Sequence, residues 1–204
     1  MNPVRFGDGG NCAIIHSMTR LPITAFAILA LLLLAAALPA RADQNDGRLE
    51  ALFERLLEAP APREAQAVEG EIWRIWLQSD DGAVRALMRD GILAMERGDH
   101  RHALSKFDQM VLIAPDFAEG WNKRATVHYL LGNYPQSLAD IAETLKLEPR
   151  HFGALSGKGL VYIALEDERR ALEAFEAALA IHPNLTSAAL NAEQLRKIIR
   201  DREI

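Results

Sequence analysis

Pro115, Pro149 and Pro183 stand 34 residues apart, and almost every position between them keeps the same step. Leu87, Trp121 and Leu155 share one slot. Gly91, Ala125 and Gly159 share a second that is always small, and Ala103, Ser137 and Ala171 a third. Leu104, Leu138 and Leu172 follow, then two large apolar slots, one of Phe107, Ile141 and Phe175, the other of Ile113, Leu147 and Ile181. A chain that returns to the same pattern at this length builds one supersecondary unit several times over. No unit can bury its apolar face alone, so the units must stack.

The copies run 84–117, 118–151 and 152–185, half of the 204 residues. Each reads as two helices, for example 118–131 and 134–147. The small slots let the two helices cross closely, and the large slots fill the space between neighbouring pairs. Gly98 and Gly132 serve the turn within a pair. The prolines open the loop to the next copy, where a further helical turn is unwanted. Half of the residues are hydrophobic and only 6% are aromatic, in keeping with an Ala- and Leu-rich helical chain.

Trp121, Ala125, Gly132 and Tyr134 mark the middle copy, Gly159, Tyr162, Ala171, Phe175 and Pro183 the last, and Gly91, Gly98, Ala103, Phe107 and Pro115 the first. This pattern resembles the tetratricopeptide repeat (TPR), a helix–turn–helix unit of the same length. The resemblance implies an all-α fold, a right-handed TPR helical solenoid, with Thr186 to about Arg200 as a terminal capping helix. On that helix Ala189, Leu190, Leu195, Ile198 and Ile199 are expected inward, and Arg196, Lys197 and Arg200 outward. Upstream, 47–58 and 63–78 read as a degenerate helix pair within 43–83, a damaged copy with Phe53, Trp73 and Trp76 near the expected slots. Glu69 stands where a small residue belongs, and Pro60 and Pro62 break the loop.

Residues 1–42 differ in kind. Leu21 to Leu38 is an almost unbroken run of eighteen residues dominated by apolar side chains, Arg20 precedes it, and Ala40-Arg41-Ala42 has the small-x-small form of a signal cleavage site. These features predict an exported chain, periplasmic in a Gram-negative source, touching a membrane only through its signal. An uncleaved anchor is the weaker reading, because Pro39 and the cleavage pattern follow the run. Residues 1–17 read as an over-extended start before Met18. Loss of 1–42 removes Cys12, the single cysteine, and leaves 20 basic against 27 acidic residues. That excludes disulfides and thiolate metal sites, and no basic run is present to attract nucleic acid.

The stretch "HFGALSGKGL" at 151–160 looks like a phosphate loop but fails that motif. Gly153 to Gly157 is one residue short, Gly159 replaces the hydroxyl after Lys158, and the segment falls inside a predicted helix whose amides are already used. Gly153 and Gly157 lie four apart, hence on one helical face. In a TPR stack that face lines the concave groove, and counting gives its other residues: Arg85, Met88, Arg89 and Ile92 in the first copy, Glu119, Asn122, Lys123 and Thr126 in the second, and Leu160 in the third. The two glycines are expected to let a partner's backbone approach, with Asn122 and Lys123 hydrogen-bonding it. Some TPR domains grip a C-terminal carboxylate with a basic and amide clamp. Here Met88 and Ile92 stand where a lysine and an asparagine would be needed, and Gly153 and Gly157 where two basic residues belong.

Asp90, Arg124 and Lys158 occupy a slot that is usually leucine, which predicts an Asp90–Arg124 pair between copies. His100 and His102 flank Arg101, while His128, His151 and His182 are scattered, and Ser156 has no acid or histidine on its helical face. None has the spacing of a metal or catalytic set. The expectation is therefore a non-enzymatic scaffold of the cell envelope, with no cofactor, metal or catalytic residue, binding a protein or peptide in its groove. The alternative is a self-assembling structural subunit, a homo-oligomer, whose groove holds its own N-terminal segment or a second copy.

Overall fold

A computed structural model describes residues 43–202, and the predicted signal lies outside them. After a 3-10 turn at Asp43–Asn45 come α1 (Arg48–Glu58), α2 (Pro62–Trp76), α3 (Gly82–Glu96), α4 (His100–Ile113), α5 (Ala118–Leu130), α6 (Tyr134–Leu147), α7 (Phe152–Ala164), α8 (Glu168–Ile181) and α9 (Thr186–Arg202). Among the described residues there is no β-strand. The pairs α3/α4, α5/α6 and α7/α8 are the three copies, and α9 packs on α8.

The alternation of small and large slots has a simple physical origin. A Cβ placed on Gly91 would come within 2.5 Å of the Phe107 ring, and one on Gly159 within 2.6 Å of the Phe175 ring. The middle copy has Ala125 where the others have glycine, and the facing residue shrinks to Ile141 in the same cluster. The volume of each crossing is thus conserved by exchange within the pair, as close packing demands. Ser137 fits its small slot by donating Oγ–H to the Ala125 carbonyl at 2.8 Å.

The intra-pair turns are left-handed at their last residue. Gly98 has φ 73° and Gly132 φ 75°, and in the third copy Glu166 adopts φ 57° at the same place. Glycine accepts that conformation freely, whereas a residue with a Cβ resists it. Asp99 and Asp167 then cap α4 and α8 by accepting from His102 N–H and Arg170 N–H.

Arg124 does not pair with Asp90. It forms a bidentate bridge to Asp140 of α6, at 2.8 and 2.7 Å, and reaches Asp108 of α4 at 3.0 Å. Asp90 instead lies 3.4 Å from Arg89. The guanidinium is taken up by carboxylates on two second helices, Asp140 and Asp108, which stand where Asp90 was expected. On α9 the packed face is Ala188, Ala192 and Leu195, and Leu190 and Ile198 are exposed. Alanines sit there because the helix lies close against Ala171, Phe175 and Ala178. Ile113 is exposed as well, whereas its counterpart Ile181 is covered.

That last contrast comes from α1 and α2. They form a pair, but the pair is not laid on α3 as a preceding copy. Its core, with Leu49, Leu52, Phe53, Leu56, Ile72, Ile75 and Trp76, closes on Phe152, Ile181 and Leu185 instead. Glu69, in the small slot, accepts from Trp73 and faces His182 beyond the third copy, and the two tryptophans pack on His151 and Phe152 at the start of α7. Polar ties fix the placement. Asn184 donates to the Ala59 carbonyl at 2.9 Å, Arg150 meets Glu50 at 2.8 Å, and Gln44 donates to the Asp116 carbonyl.

Candidate functional site

The folded-back pair places α2 beside the starts of α5, α7 and α9, and a cleft of about 320 Å³ lies among these elements. Trp73 and Glu69 come from α2, Asn122, Lys123, Thr126 and Tyr129 from α5, and Phe152, Gly153, Ser156, Gly157 and Leu160 from α7. Trp73 stands edge-on to Phe152, with centroids 5.5 Å apart, and Lys123 Nζ lies 5.6 Å from the Trp73 ring centre. Trp76 is buried behind it, stacked on His151 at 4.1 Å.

Beneath the cleft is a buried charge network. Glu119 is 1% exposed and accepts from Asn122 Nδ2 at 2.9 Å, while Lys123 Nζ lies 2.9 Å from its other oxygen. His151 Nδ1 accepts the Ala154 N–H and so caps α7, which leaves the ring proton on Nε2, 2.9 Å from Glu119 Oε2. Burial pushes the Glu119 carboxyl up, but the Lys123 charge and the His151 hydrogen bond outweigh it and hold the group below the ordinary glutamate value. Glu69 accepts from Trp73 Nε1 at 3.1 Å and faces His182 Nε2 at 3.3 Å. The His182 contact is the main cause that keeps its carboxyl low, against partial burial.

The eleven groove residues counted from the sequence therefore fall into two places. Arg85, Met88, Arg89 and Ile92 line a separate open depression of about 330 Å³ on α3, with Leu77 and Leu93. Asn122, Lys123, Thr126, Gly153, Gly157 and Leu160 meet in the cleft, and Glu119 lies under it. The expected roles shift accordingly. Asn122 and Lys123 already serve Glu119, so neither amide nor ammonium is idle. Gly153 is occupied by this chain itself, since a Cβ there would come within 2.6 Å of the Trp73 ring. Gly157 has nothing within 4 Å of such a Cβ and remains open.

Counting missed α2 altogether as a wall, along with His151 and His182 as its docking points. The one available signal was Glu69, a carboxylate in a slot that rejects it. The phosphate-loop look-alike lies inside α7. Ser137, Ser156 and Ser187 reach the cleft, but no histidine lines it. Among the described residues no group of three metal-ligating side chains is present, and no helix is long and apolar enough to cross a membrane. What the arrangement offers chemically is apolar surface, an open stretch of helix and a few fixed charges.

Comparison with known proteins places this geometry in context. A family described as Tetratricopeptide repeat matches residues 122–186. A TPR repeat-containing protein of Rhizobium etli is 37% identical over 136 residues, 67% of this chain and 67% of that protein. Small glutamine-rich tetratricopeptide repeat-containing protein 2 of Saccharomyces cerevisiae is 25% identical over 65% of this chain, which spans only 39% of it. Among solved structures, the TPR2B domain of yeast Sti1 in complex with pHsp70 superposes with a TM-score of 0.52 at 24% identity, over 56% of this chain and 94% of that one. The first TPR of Spaghetti (RPAP3), bound to the HSP90 peptide SRMEEVD, gives 0.57 at 18% identity over 59% and 96%. MamA gives 0.56 at 17% identity over 78% and 86%. At these identities the structural likeness is one of fold.

Proposed function

The chain belongs to the tetratricopeptide repeat family, and on that premise we propose that it is a non-enzymatic scaffold that binds an extended segment of a partner protein in the cleft walled by α2, α5 and α7. The carrying observation is Gly157. It sits mid-helix, where glycine costs about 1 kcal/mol relative to alanine, and no packing neighbour accounts for it. A partner chain passing over that bare turn accounts for it. The cleft volume is at the lower end of binding sites, roughly 300–1,000 Å³, and suits one or two side chains of a longer segment. The apolar run at 21–38 and the small-x-small triplet after it support a place in the cell envelope.

The Sti1 and RPAP3 domains hold chaperone peptides in their solved complexes. This chain carries Met88, Ile92, Gly153 and Gly157 where a carboxylate clamp needs basic and amide groups, so an acidic tail is not the proposed ligand.

Selection of peptides from a displayed random library, run in parallel on wild type and Gly157→Leu, tests the reading. Wild type is expected to enrich a family of peptides that the variant does not bind, with unchanged helical circular dichroism. Enrichment of nothing, or of the same peptides by both proteins, overturns it. A second reading, a self-assembling subunit, draws on the α1–α2 pair, because this chain's own N-terminal segment already takes one side of the groove. Light scattering across a hundredfold range of concentration separates the two: a constant monomer mass favours the scaffold, and a rising mass the subunit.

A further inference from the structure

We infer that the cleft recognises an apolar side chain with a basic residue beside it, and discriminates against acidic neighbours. This rests on the cleft being the partner site, and it adds the chemistry of the segment bound.

The apolar half follows from the walls. Trp73, Tyr129 and Leu160 line a space of about 320 Å³, with Phe152 and Ile141 buried at its base. Leu160 is 37% exposed. Water against such a surface is displaced favourably by a hydrocarbon or aromatic side chain. Because Gly157 has no Cβ, the backbone bearing that side chain can lie directly on α7.

The basic half follows from the balance of charges. Two charged side chains line the cleft, Lys123 and Glu69. Lys123 is already committed: its ammonium lies 2.9 Å from Glu119, whose carboxylate is wholly buried and stays ionised. Together those two groups sum to zero, and a ligand carboxylate approaching Lys123 would have to compete with a partner that cannot leave. Glu69 is different. It is held ionised by hydrogen-bonding groups, Trp73 Nε1 and His182 Nε2, and its side chain is 27% exposed. Its negative charge is thus fixed in position and still accessible from the cleft. The remaining polar lining, Asn122, Thr126, Ser137, Ser156 and Ser187, is neutral. A cation next to the inserted side chain is attracted by Glu69, whereas an anion there is repelled by it in a partly desolvated site. The net charge of −5 on the whole chain acts in the same direction at longer range.

Three fluorescein-labelled synthetic peptides of equal length test this, each with one central leucine flanked on both sides by lysine, serine or glutamate. Their affinities for the full chain are read by fluorescence anisotropy at low and high salt. The lysine peptide is expected to bind about fivefold or more tighter than the glutamate peptide, a preference shrinking in high salt. The gap is also expected to narrow in Glu69→Gln, which keeps the size of the side chain and removes its charge, and binding of the lysine peptide to be lost in Gly157→Leu. If the serine and glutamate peptides bind wild type as tightly as the lysine peptide and Gly157→Leu still abolishes binding, the cleft is the site and the charge preference is wrong. If Gly157→Leu leaves the lysine peptide's affinity unchanged, or no peptide binds wild type, the cleft reading fails and takes this inference with it. The comparison among peptides uses wild type alone, so it stands even if Glu69→Gln unfolds.

Discussion

Among the described residues, Glu166 is the one non-glycine with a left-handed backbone. At φ 57° it fills the turn that Gly98 and Gly132 fill in the other copies. A left-handed conformation costs a residue bearing a Cβ about 1–2 kcal/mol, of which glycine's larger loss of freedom on folding returns part. Glu166→Gly is therefore expected to stabilise the protein by about 1 kcal/mol, read as a higher urea midpoint at unchanged slope. A lower midpoint would show that the Glu166 side chain carries a compensating interaction. Single positions also separate what a repeat period encodes from what it does not. Gly91, Ala125 and Gly159 were legible as small slots because their large partners recur at the same step. Gly153 and Gly157 looked alike, four apart on one face, yet one is filled by Trp73 and the other is open. That distinction depends on a side chain from 80 residues upstream, which no local period contains.

Among elements, the docking of α2 on α7 is the least ordinary contact, and it is built around buried charge. Glu119 links α5 to His151 at the start of α7, and His151 in turn stacks on Trp76 of α2. Because its folded-state pKa is depressed, Glu119 contributes stability above its unfolded value near 4.5, and this is lost as pH falls through the lower folded value. Half-buried Glu69 contributes with the same sign. Glu119→Gln is expected to cost about 2 kcal/mol at pH 7, the scale of a hydrogen bond to a charged group. The gap between variant and wild type should then close as the pH is lowered below the unfolded value and through the depressed folded one. Urea titrations followed by tryptophan fluorescence measure it; a gap that stays constant into acid would show that Glu119 is not ionised in the fold. The sequence placed Glu119 on the groove because its slot lies on the inner helical face. It could not show that the same face is roofed at that end, so that a carboxylate counted as lining becomes a carboxylate that is buried.

For the molecule as a whole, the question is which parts depend on which. In a plain repeat stack each unit contacts only its neighbours, so loosening the first pair would loosen the second. Here α1 and α2 precede α3 in the chain but pack against the start of α7 and the end of α8. The cluster around Phe107, Met110 and Phe117, which holds α3 and α4 together, contains no residue of α1 or α2. Sequence order and stability order therefore diverge. Trp76→Ala removes a ring that is 2% exposed and touches Phe53, Trp73, His151 and Phe152, a loss of about 3–5 kcal/mol for a buried aromatic of this kind. Hydrogen exchange followed by mass spectrometry should show faster exchange in segments 48–76, 151–156 and 182–188, while 82–96 keeps its protection. Early loss of protection at 82–96, with 151–156 unchanged, would mean that the first pair behaves as an ordinary leading repeat. In that case Trp73 and Glu69 would no longer wall the cleft, and its size, its roofed end and its fixed negative charge would all have to be attributed to something else.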